Sequence, residues 1–138
     1  MKETIKASWL NGLSFEAEVD GHKIYLDTSL EHGGKNMGPR PKPMMMVALA
    51  GCTGMDVAAI LQKMRVEFDE LTVEVEGDIT EIHPKRFQGM KVIYRVKGKN
   101  VPLKSVEKAV ELSRTKYCGV SANYLEAFPI EHEIIIEE

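Results

Sequence analysis

The apolar run from Pro43 to Leu61, PMMMVALAGCTGMDVAAIL, limits what this chain can fold into more than any other segment. The run approaches the length that crosses a bilayer, but Pro43, Thr53 and Asp56 interrupt it and its small residues lower its hydrophobicity. We therefore expect a buried helix and no membrane span. A helix that is apolar around its whole circumference must be covered on every side. Because 138 residues can barely do this alone, the run predicts a homodimer.

Composition and charge narrow the class of protein. The length predicts a single domain over residues 1–138, and 43% hydrophobic with 28% charged residues is ordinary for a folded protein. A net charge of −3, without a basic cluster, argues against a nucleic-acid partner. The opening residues MKETIK do not resemble a secretion signal, so we expect a cytoplasmic protein. Two cysteines are too few for a disulfide scaffold there, so any redox role depends on their surroundings.

The residues before the apolar run predict a three-stranded antiparallel meander over residues 1–30. Its strands are expected at residues 3–10, where the sequence is ETIKASWL, from Ser14 to Val19, and from Lys23 to Asp27. The dipeptides Asn11-Gly12 and Asp20-Gly21 supply the positive φ angles that two-residue hairpins require.

The rest of the chain predicts helices and further strands. Glycines and prolines make residues 31–43 a loop, after which a central helix carrying Cys52 is expected over residues 41–65. Residues 71–138 are then predicted to contain two strands (71–76 and 90–96) separated by an extended arm or wide loop (77–89), a second helix (102–116), a third helix (118–128) and a closing strand (130–136). This order predicts an α+β fold in which antiparallel sheets wrap long central helices.

Cys52 and Cys118 are the residues most able to carry chemistry. A free cysteine is most often a small, inert, buried side chain, and that interpretation stays open for both. Two features favour reactivity: Gly51 and Gly54 leave the sulfur of Cys52 approachable, and Cys118 lies where a helix N-terminus favours a thiolate.

Three blocks in this chain resemble the OsmC/Ohr family. They are Ala50–Val57 (AGCTGMDV) on the long apolar helix, His83–Phe87 (HPKRF), and Lys116–Ser121 (KYCGVS) at a helix start. Each block is weak alone, but their order and spacing, after an N-terminal meander, are specific. The resemblance covers roughly residues 35–138 and implies an intertwined dimer with the reactive thiols at the subunit interface.

The resemblance implies a thiol-dependent peroxidase that reduces organic hydroperoxides. Cys52 would be oxidised by the peroxide to a sulfenic acid, and Cys118 would resolve it as a disulfide. A dithiol reductant, lipoyl-type or thioredoxin-like, would then regenerate the enzyme. No metal or organic cofactor is called for.

A thiol among apolar side chains needs a nearby cation to ionise at neutral pH. In the family an arginine before the helix fills this role, held by a glutamate near the helix start. Arg40 is the candidate, because residues 1–39 contain no arginine, while Lys42 and Pro43 stand where the family places the glutamate. As part of the same helix Arg40 would lie about 18 Å from Cys52, so it would have to fold back or come from the partner subunit. A solvated loop arginine is the other interpretation.

Three other side chains are weaker candidates. Asp56 shares a helix face with Cys52, where a carboxylate would suppress the thiolate, so we expect a structural role before an acid/base one. Glu81 and His83 are predicted to reach the site from the extended arm.

The sequence also leaves open a rival function: a non-catalytic protein of the same fold that binds an apolar small molecule or lipid at the dimer interface.

Overall fold

A computed structural model describes residues 1–138 and has the α+β architecture that the sequence predicts. The strands are β1 (Ala7–Asn11), β2 (Ser14–Val19), β3 (His22–Leu26), β4 (Glu70–Ile79), β5 (Phe87–Lys97) and β6 (Ile130–Glu137). The helices are α1 (Pro41–Lys63), α2 (Leu103–Leu112) and α3 (Gly119–Leu125). Two compact units divide the chain, residues 1–45 and residues 46–138, and α1 runs from the first into the second. The prediction of a single domain stays a prediction.

The first unit holds the predicted meander, an antiparallel sheet in the order β1-β2-β3. Asp20 and Gly21 connect β2 to β3, and both have positive φ angles (51° and 81°), as a tight hairpin requires. The first hairpin turns one position later than predicted. Its turn residues are Gly12 (φ 55°) and Leu13, while Asn11 pairs with Ser14 after a bulge in β1.

A buried carboxylate holds the loop that follows β3. Asp27 is 3% exposed and accepts hydrogen bonds from the Ser14 hydroxyl (2.8 Å) and from the backbone N–H groups of Thr28 (2.7 Å), Lys35 (3.2 Å) and Met37 (3.1 Å). Burial alone would raise the pKa of this carboxyl group, but these hydrogen bonds outweigh it and hold the pKa of Asp27 below its ordinary value. The carboxylate therefore organises the segment leading to α1.

The second unit holds a sheet in the order β4-β5-β6, in which β5 pairs antiparallel with β4 and parallel with β6. The prediction of antiparallel sheets is therefore wrong for β6. Its core joins the sheet to the helices through residues that are at most 2% exposed: Leu49, Val57, Leu61, Val92, Tyr94, Val96, Val106, Ala109 and Val110. The buried positions of β5 include the predicted alternation Met90, Val92, Tyr94, Val96. The central strand is thus fixed by its apolar face.

The predicted arm over residues 77–89 is wrong in extent, because β4 and β5 continue through most of it and leave only residues 80–86 as a turn. Gly77, the first residue of the predicted arm, lies inside β4. A Cβ there would meet the Phe87 ring at 2.5 Å and the Met46 sulfur at 3.0 Å. The glycine marks close packing across the hairpin, not a break in it.

Only one stripe of α1 is buried. Leu49, Thr53, Val57 and Leu61 recur every four residues and face the core of the second unit. On other faces Val47 is 57% exposed and Met55 is 76% exposed. By length and composition α1 could span a membrane, a criterion that core helices of soluble proteins also meet. The predicted homodimer, which would cover the exposed faces, stays a prediction.

The second helix also differs from its prediction. It ends at Leu112, and residues Ser113–Tyr117 form a wider, π-helical turn in which the Cys118 N–H donates to the Ser113 carbonyl (2.8 Å). The third helix begins at Gly119 and ends at Leu125, earlier than predicted. The π-turn is what carries the chain from α2 to Cys118.

Candidate functional site

The second unit brings Cys52 and Cys118 together. Their Sγ atoms and a carboxylate oxygen of Asp56 all lie within 4.8 Å of one another. Both cysteines are free thiols; Cys52 is partly exposed and Cys118 is buried, at 4% exposure. Cys52 is thus the more accessible of the two cysteines.

Local backbone structure positions the two sulfurs. Cys52 lies on α1 one turn before Asp56, so the two side chains share a face. Cys118 is the residue before α3, and its sulfur accepts the Ser121 N–H at 3.4 Å. The Ser121 hydroxyl donates in turn to the Cys118 carbonyl at 3.0 Å. The start of α3 therefore holds Cys118 from two sides.

The surroundings of Cys52 favour its neutral thiol. Burial raises the pKa of Cys52, and the hydrogen bond and charge of Cys118 and the charge of Asp56 raise it further. A backbone hydrogen bond from Val120 works in the opposite direction without reversing the shift. None of these main influences is a cation. Within this unit Cys52 is therefore a weaker nucleophile at neutral pH than an ordinary thiol.

Sequence reasoning missed a chain of buried hydroxyl groups that ends on Asp56. The hydroxyls of Tyr94 and Thr53 lie 2.7 Å apart, those of Thr53 and Ser113 lie 2.8 Å apart, and Ser113 donates to Asp56 Oδ2 at 2.9 Å. Because Ser113 gives its proton to Asp56, it must accept from Thr53, and Thr53 must accept from Tyr94. All three protons thus point toward the carboxylate.

The sequence feature that indicates these buried hydroxyl groups is the presence of polar residues on otherwise apolar helix faces. Thr53 interrupts the apolar run of α1 and Ser113 lies on the apolar face of the second helical segment, yet each is at most 2% exposed. A buried hydroxyl needs a partner, so two such residues predict each other, although sequence does not show which pair meets.

Arg114 is a further residue that sequence reasoning passed over. It lies in the π-turn and lines a small cavity together with Thr53, Tyr94 and His132. Burial is the main cause that raises the pKa of Tyr94, and the positive charge of Arg114 partly offsets it. Burial, followed by the charge of Arg114, lowers the pKa of His132. Arg114 thus supplies positive charge at the Tyr94 end of the hydroxyl chain.

Glu81 and His83 are not members of the cysteine cluster, and Arg40 belongs to the other unit. Arg40 is an exposed residue of the first unit, immediately before α1. Glu81 and His83 are exposed in the turn between β4 and β5, where they line a surface depression with Thr80 and Ile82. Their participation in the site stays a prediction.

Comparisons with known proteins agree with the three sequence blocks. A family model described as OsmC-like protein matches residues 33–133. Protein YhfA of Escherichia coli strain K12 is 33% identical over 128 residues, which cover 92% of each chain. The crystal structure of a hypothetical protein from Aquifex aeolicus VF5 has a TM-score of 0.87 and 26% identity, covering 100% of this chain and 98% of that one.

A more distant structure carries a functional name. It is described as an organic hydroperoxide resistance protein OsmC from Legionella pneumophila, with a TM-score of 0.69, 17% identity, and coverage of 98% of this chain and 97% of that one. At this identity the likeness shows the fold alone. Taken with the family match and the relation to YhfA, the resemblance is confirmed, and this chain belongs to the OsmC-like protein family.

Proposed function

We propose that this protein is a thiol-dependent peroxidase that reduces organic hydroperoxides through Cys52 and Cys118. The observation that carries the proposal is the approach of the two sulfurs to within 4.8 Å in a member of the OsmC-like family. A disulfide bond holds its two sulfurs about 2.05 Å apart, so the Cys52 and Cys118 side chains have to move closer together before they bond. The partly exposed Cys52 suits the first, peroxide-facing step, and the buried Cys118 suits the second.

The proposed reaction has three balanced steps. The Cys52 thiolate attacks the terminal peroxide oxygen, the O–O bond breaks, and the departing alkoxide takes a proton to become an alcohol, leaving a sulfenic acid. Cys118 then attacks the Cys52 sulfur, the S–O bond breaks, and the hydroxyl group leaves with the thiol proton as water. A dithiol reductant, lipoyl-type or thioredoxin-like, finally supplies two electrons and two protons and restores both thiols.

The first step requires a positive charge near Cys52, and no cation is among the main influences on the pKa of that thiol. We assign this role to Arg40, supplied by the same or the partner subunit of a homodimer. The exposed Val47 and Met55 on α1 support a homodimer, because they are apolar residues that solvent would otherwise face. Replacing Arg40→Gln should slow oxidation of Cys52, while the matched change Lys42→Gln, two residues away, should not. Equal rates in both variants would exclude Arg40.

The experiment is a thiol count during oxidation. Reduced protein is titrated with cumene hydroperoxide, and free thiols are measured after each addition. Two thiols per chain should disappear in the wild type, none in Cys52→Ser, and one in Cys118→Ser, where dimedone should trap the sulfenic acid. We also propose that the protein is cytoplasmic, where cellular reductants would convert the disulfide back to two thiols. No thiol loss in the wild type would refute the peroxidase.

One observation favours a second candidate function. Burial, Cys118 and Asp56 all raise the pKa of Cys52, which is the opposite of what a peroxidatic thiol needs. The rival is therefore a non-catalytic OsmC-like protein that binds an apolar small molecule or lipid at the dimer interface. Unchanged thiols under peroxide, together with saturable binding of a fluorescent fatty acid, would favour it.

A further inference from the structure

Three metal-binding atoms meet where the sequence predicted no metal. The sulfurs of Cys52 and Cys118 and a carboxylate oxygen of Asp56 all lie within 4.8 Å of one another. Around a tetrahedral Zn²⁺, with Zn–S near ~2.3 Å and Zn–O near ~2.1 Å, such atoms lie roughly 3.5–3.8 Å apart. The ligand atoms would therefore have to move closer together by at most about 1.3 Å, which small side-chain rotations can supply.

Each of the three candidate ligands, Cys52, Cys118 and Asp56, accepts a hydrogen bond from a neighbouring group. The sulfur of Cys118 accepts the Ser121 N–H, and Asp56 accepts the Ser113 hydroxyl. A backbone hydrogen bond from Val120 reaches Cys52. Donors of this kind orient metal ligands. The arrangement is a formed ligand set with supporting partners, not a chance cluster of surface acids.

The donor types point to one class of ion. Two thiolates favour a thiophilic cation over Mg²⁺ or Ca²⁺, which prefer oxygen ligands, and one carboxylate is compatible with Zn²⁺. Two thiolates and a carboxylate also carry three negative charges, which a divalent cation would largely neutralise.

We propose that the reduced protein binds one Zn²⁺ per chain through Cys52, Cys118 and Asp56, with water at the fourth position. The bound ion holds both thiolates, so it competes with any electrophile for Cys52. Formation of a Cys52–Cys118 disulfide removes two of the three ligands and releases the ion. Binding is independent of the proposed peroxidase; only release by hydroperoxide rests on that function.

Co²⁺ is the probe, because it takes zinc-like tetrahedral sites and its thiolate bonds absorb in the near ultraviolet. Full-length protein, reduced and freed of metal with EDTA, is titrated with Co²⁺ and the absorption is followed. We expect saturation at one ion per chain with a sulfur-to-cobalt band, and loss of the band when Zn²⁺ is added. Diamide, which accepts two electrons and two protons from the thiols as they form a disulfide, should also abolish it. Absence of the band in reduced protein would overturn the proposal.

Substitutions distinguish the residues that bind Zn²⁺ directly from those that do not. Cys52→Ser, Cys118→Ser and Asp56→Asn should each weaken Zn²⁺ binding in competition with a chromogenic chelator. Ser113→Ala keeps all three ligands and should still weaken binding by about 10-fold or more, as loss of an outer hydrogen bond does. Glu107→Gln, on the exposed side of α2, is the matched control and should bind as the wild type does.

Circular dichroism and a urea midpoint for each variant show that weaker binding is not unfolding. Wild-type affinity in Asp56→Asn would remove the carboxylate from the site and overturn the three-ligand assignment. The two proposals fail separately: a protein that binds Co²⁺ but keeps its thiols under cumene hydroperoxide refutes the peroxidase alone. A protein that oxidises normally without a cobalt band refutes the metal site alone.

Discussion

Thr53 is the central hydroxyl of the buried series Tyr94–Thr53–Ser113, and replacing it with valine tests how much these hydroxyl groups depend on one another. Valine nearly keeps the shape of the threonine side chain but removes its oxygen. Two hydrogen bonds are lost, one with the Tyr94 hydroxyl (2.7 Å) and one with the Ser113 hydroxyl (2.8 Å). Thr53 is 2% exposed, Tyr94 1% and Ser113 0%, so these hydroxyl groups are shielded from bulk solvent.

The expected cost follows from which groups are left without partners. In Thr53→Val the Tyr94 hydroxyl loses its hydrogen-bond partner, and a buried polar group in that position costs about 1–3 kcal/mol. Ser113 keeps its bond to Asp56 but loses a donor, so we expect a total of roughly 2–3 kcal/mol. In Tyr94→Phe the stranded hydroxyl is itself removed, and the cost should be about 1 kcal/mol.

A double-mutant cycle makes the reasoning refutable. With both changes no tyrosine hydroxyl is left stranded, so the double variant should be more stable than the sum of the single costs predicts, by about 1 kcal/mol or more. The assay is urea unfolding at one fixed protein concentration, with the midpoint compared at unchanged slope. Additive costs, or a Thr53→Val cost below about 0.5 kcal/mol, would mean that the two hydroxyls do not depend on each other.

Three further predictions rest on other residues. The pKa of Asp27 lies below its ordinary value in the folded state, so its contribution to stability is present above the ordinary carboxyl pKa and is lost as pH falls through the folded-state pKa. The urea midpoint of Asp27→Asn should therefore approach that of the wild type in acid. A constant difference between the two midpoints down to pH 2 would contradict this. Burial raises the pKa of Cys52, and the charge of Asp56 raises it further. In metal-free reduced protein, alkylation of Cys52 by iodoacetamide, followed by mass spectrometry, should therefore reach half its maximal rate at a higher pH than in a free cysteine, and at a lower pH in Asp56→Asn than in the wild type. Identical pH profiles in the variant and the wild type would count against the charge effect. Gly34→Ala should lower the free energy of unfolding by about 1–3 kcal/mol, because a Cβ at this position would collide with the Thr28 carbonyl oxygen. A Cβ at Gly119 would meet nothing within 4 Å, so Gly119→Ala should change the free energy of unfolding by no more than about 0.5 kcal/mol. Equal thermal midpoints for the two variants would refute the packing argument.

Much of the architecture could be predicted from local patterns. The alternation in β2, β4 and β5 and the apolar run of α1 gave the correct type of element at nearly the correct place, since burial of one face imposes a period that the residues must follow. Errors arose where a residue acts through a distant contact. Gly77 was placed in the predicted arm because the ring of Phe87, against which it packs, lies across the hairpin and a local pattern does not show it.

The candidate site shows the same division. Cys52 and Cys118 could be selected because their flanking blocks resemble those of a family, and Asp56 because a spacing of four places it on the same helix face. Ser113 and Arg114 could not be selected, since their relevance depends on a π-turn that no periodicity announces. A buried hydroxyl signals that a partner exists without saying where it lies.

By itself the sequence determined the class of fold, the family, and the two sulfurs on which any chemistry depends, because these follow from residue type and short-range spacing. Tertiary structure alone decided that the sulfurs share a few ångströms with a carboxylate, and that a line of hydroxyl groups from Tyr94 orients that carboxylate. The reason is physical: the residues belong to α1, β5, the π-turn and the start of α3, and only packing of these elements around one core brings their polar groups together.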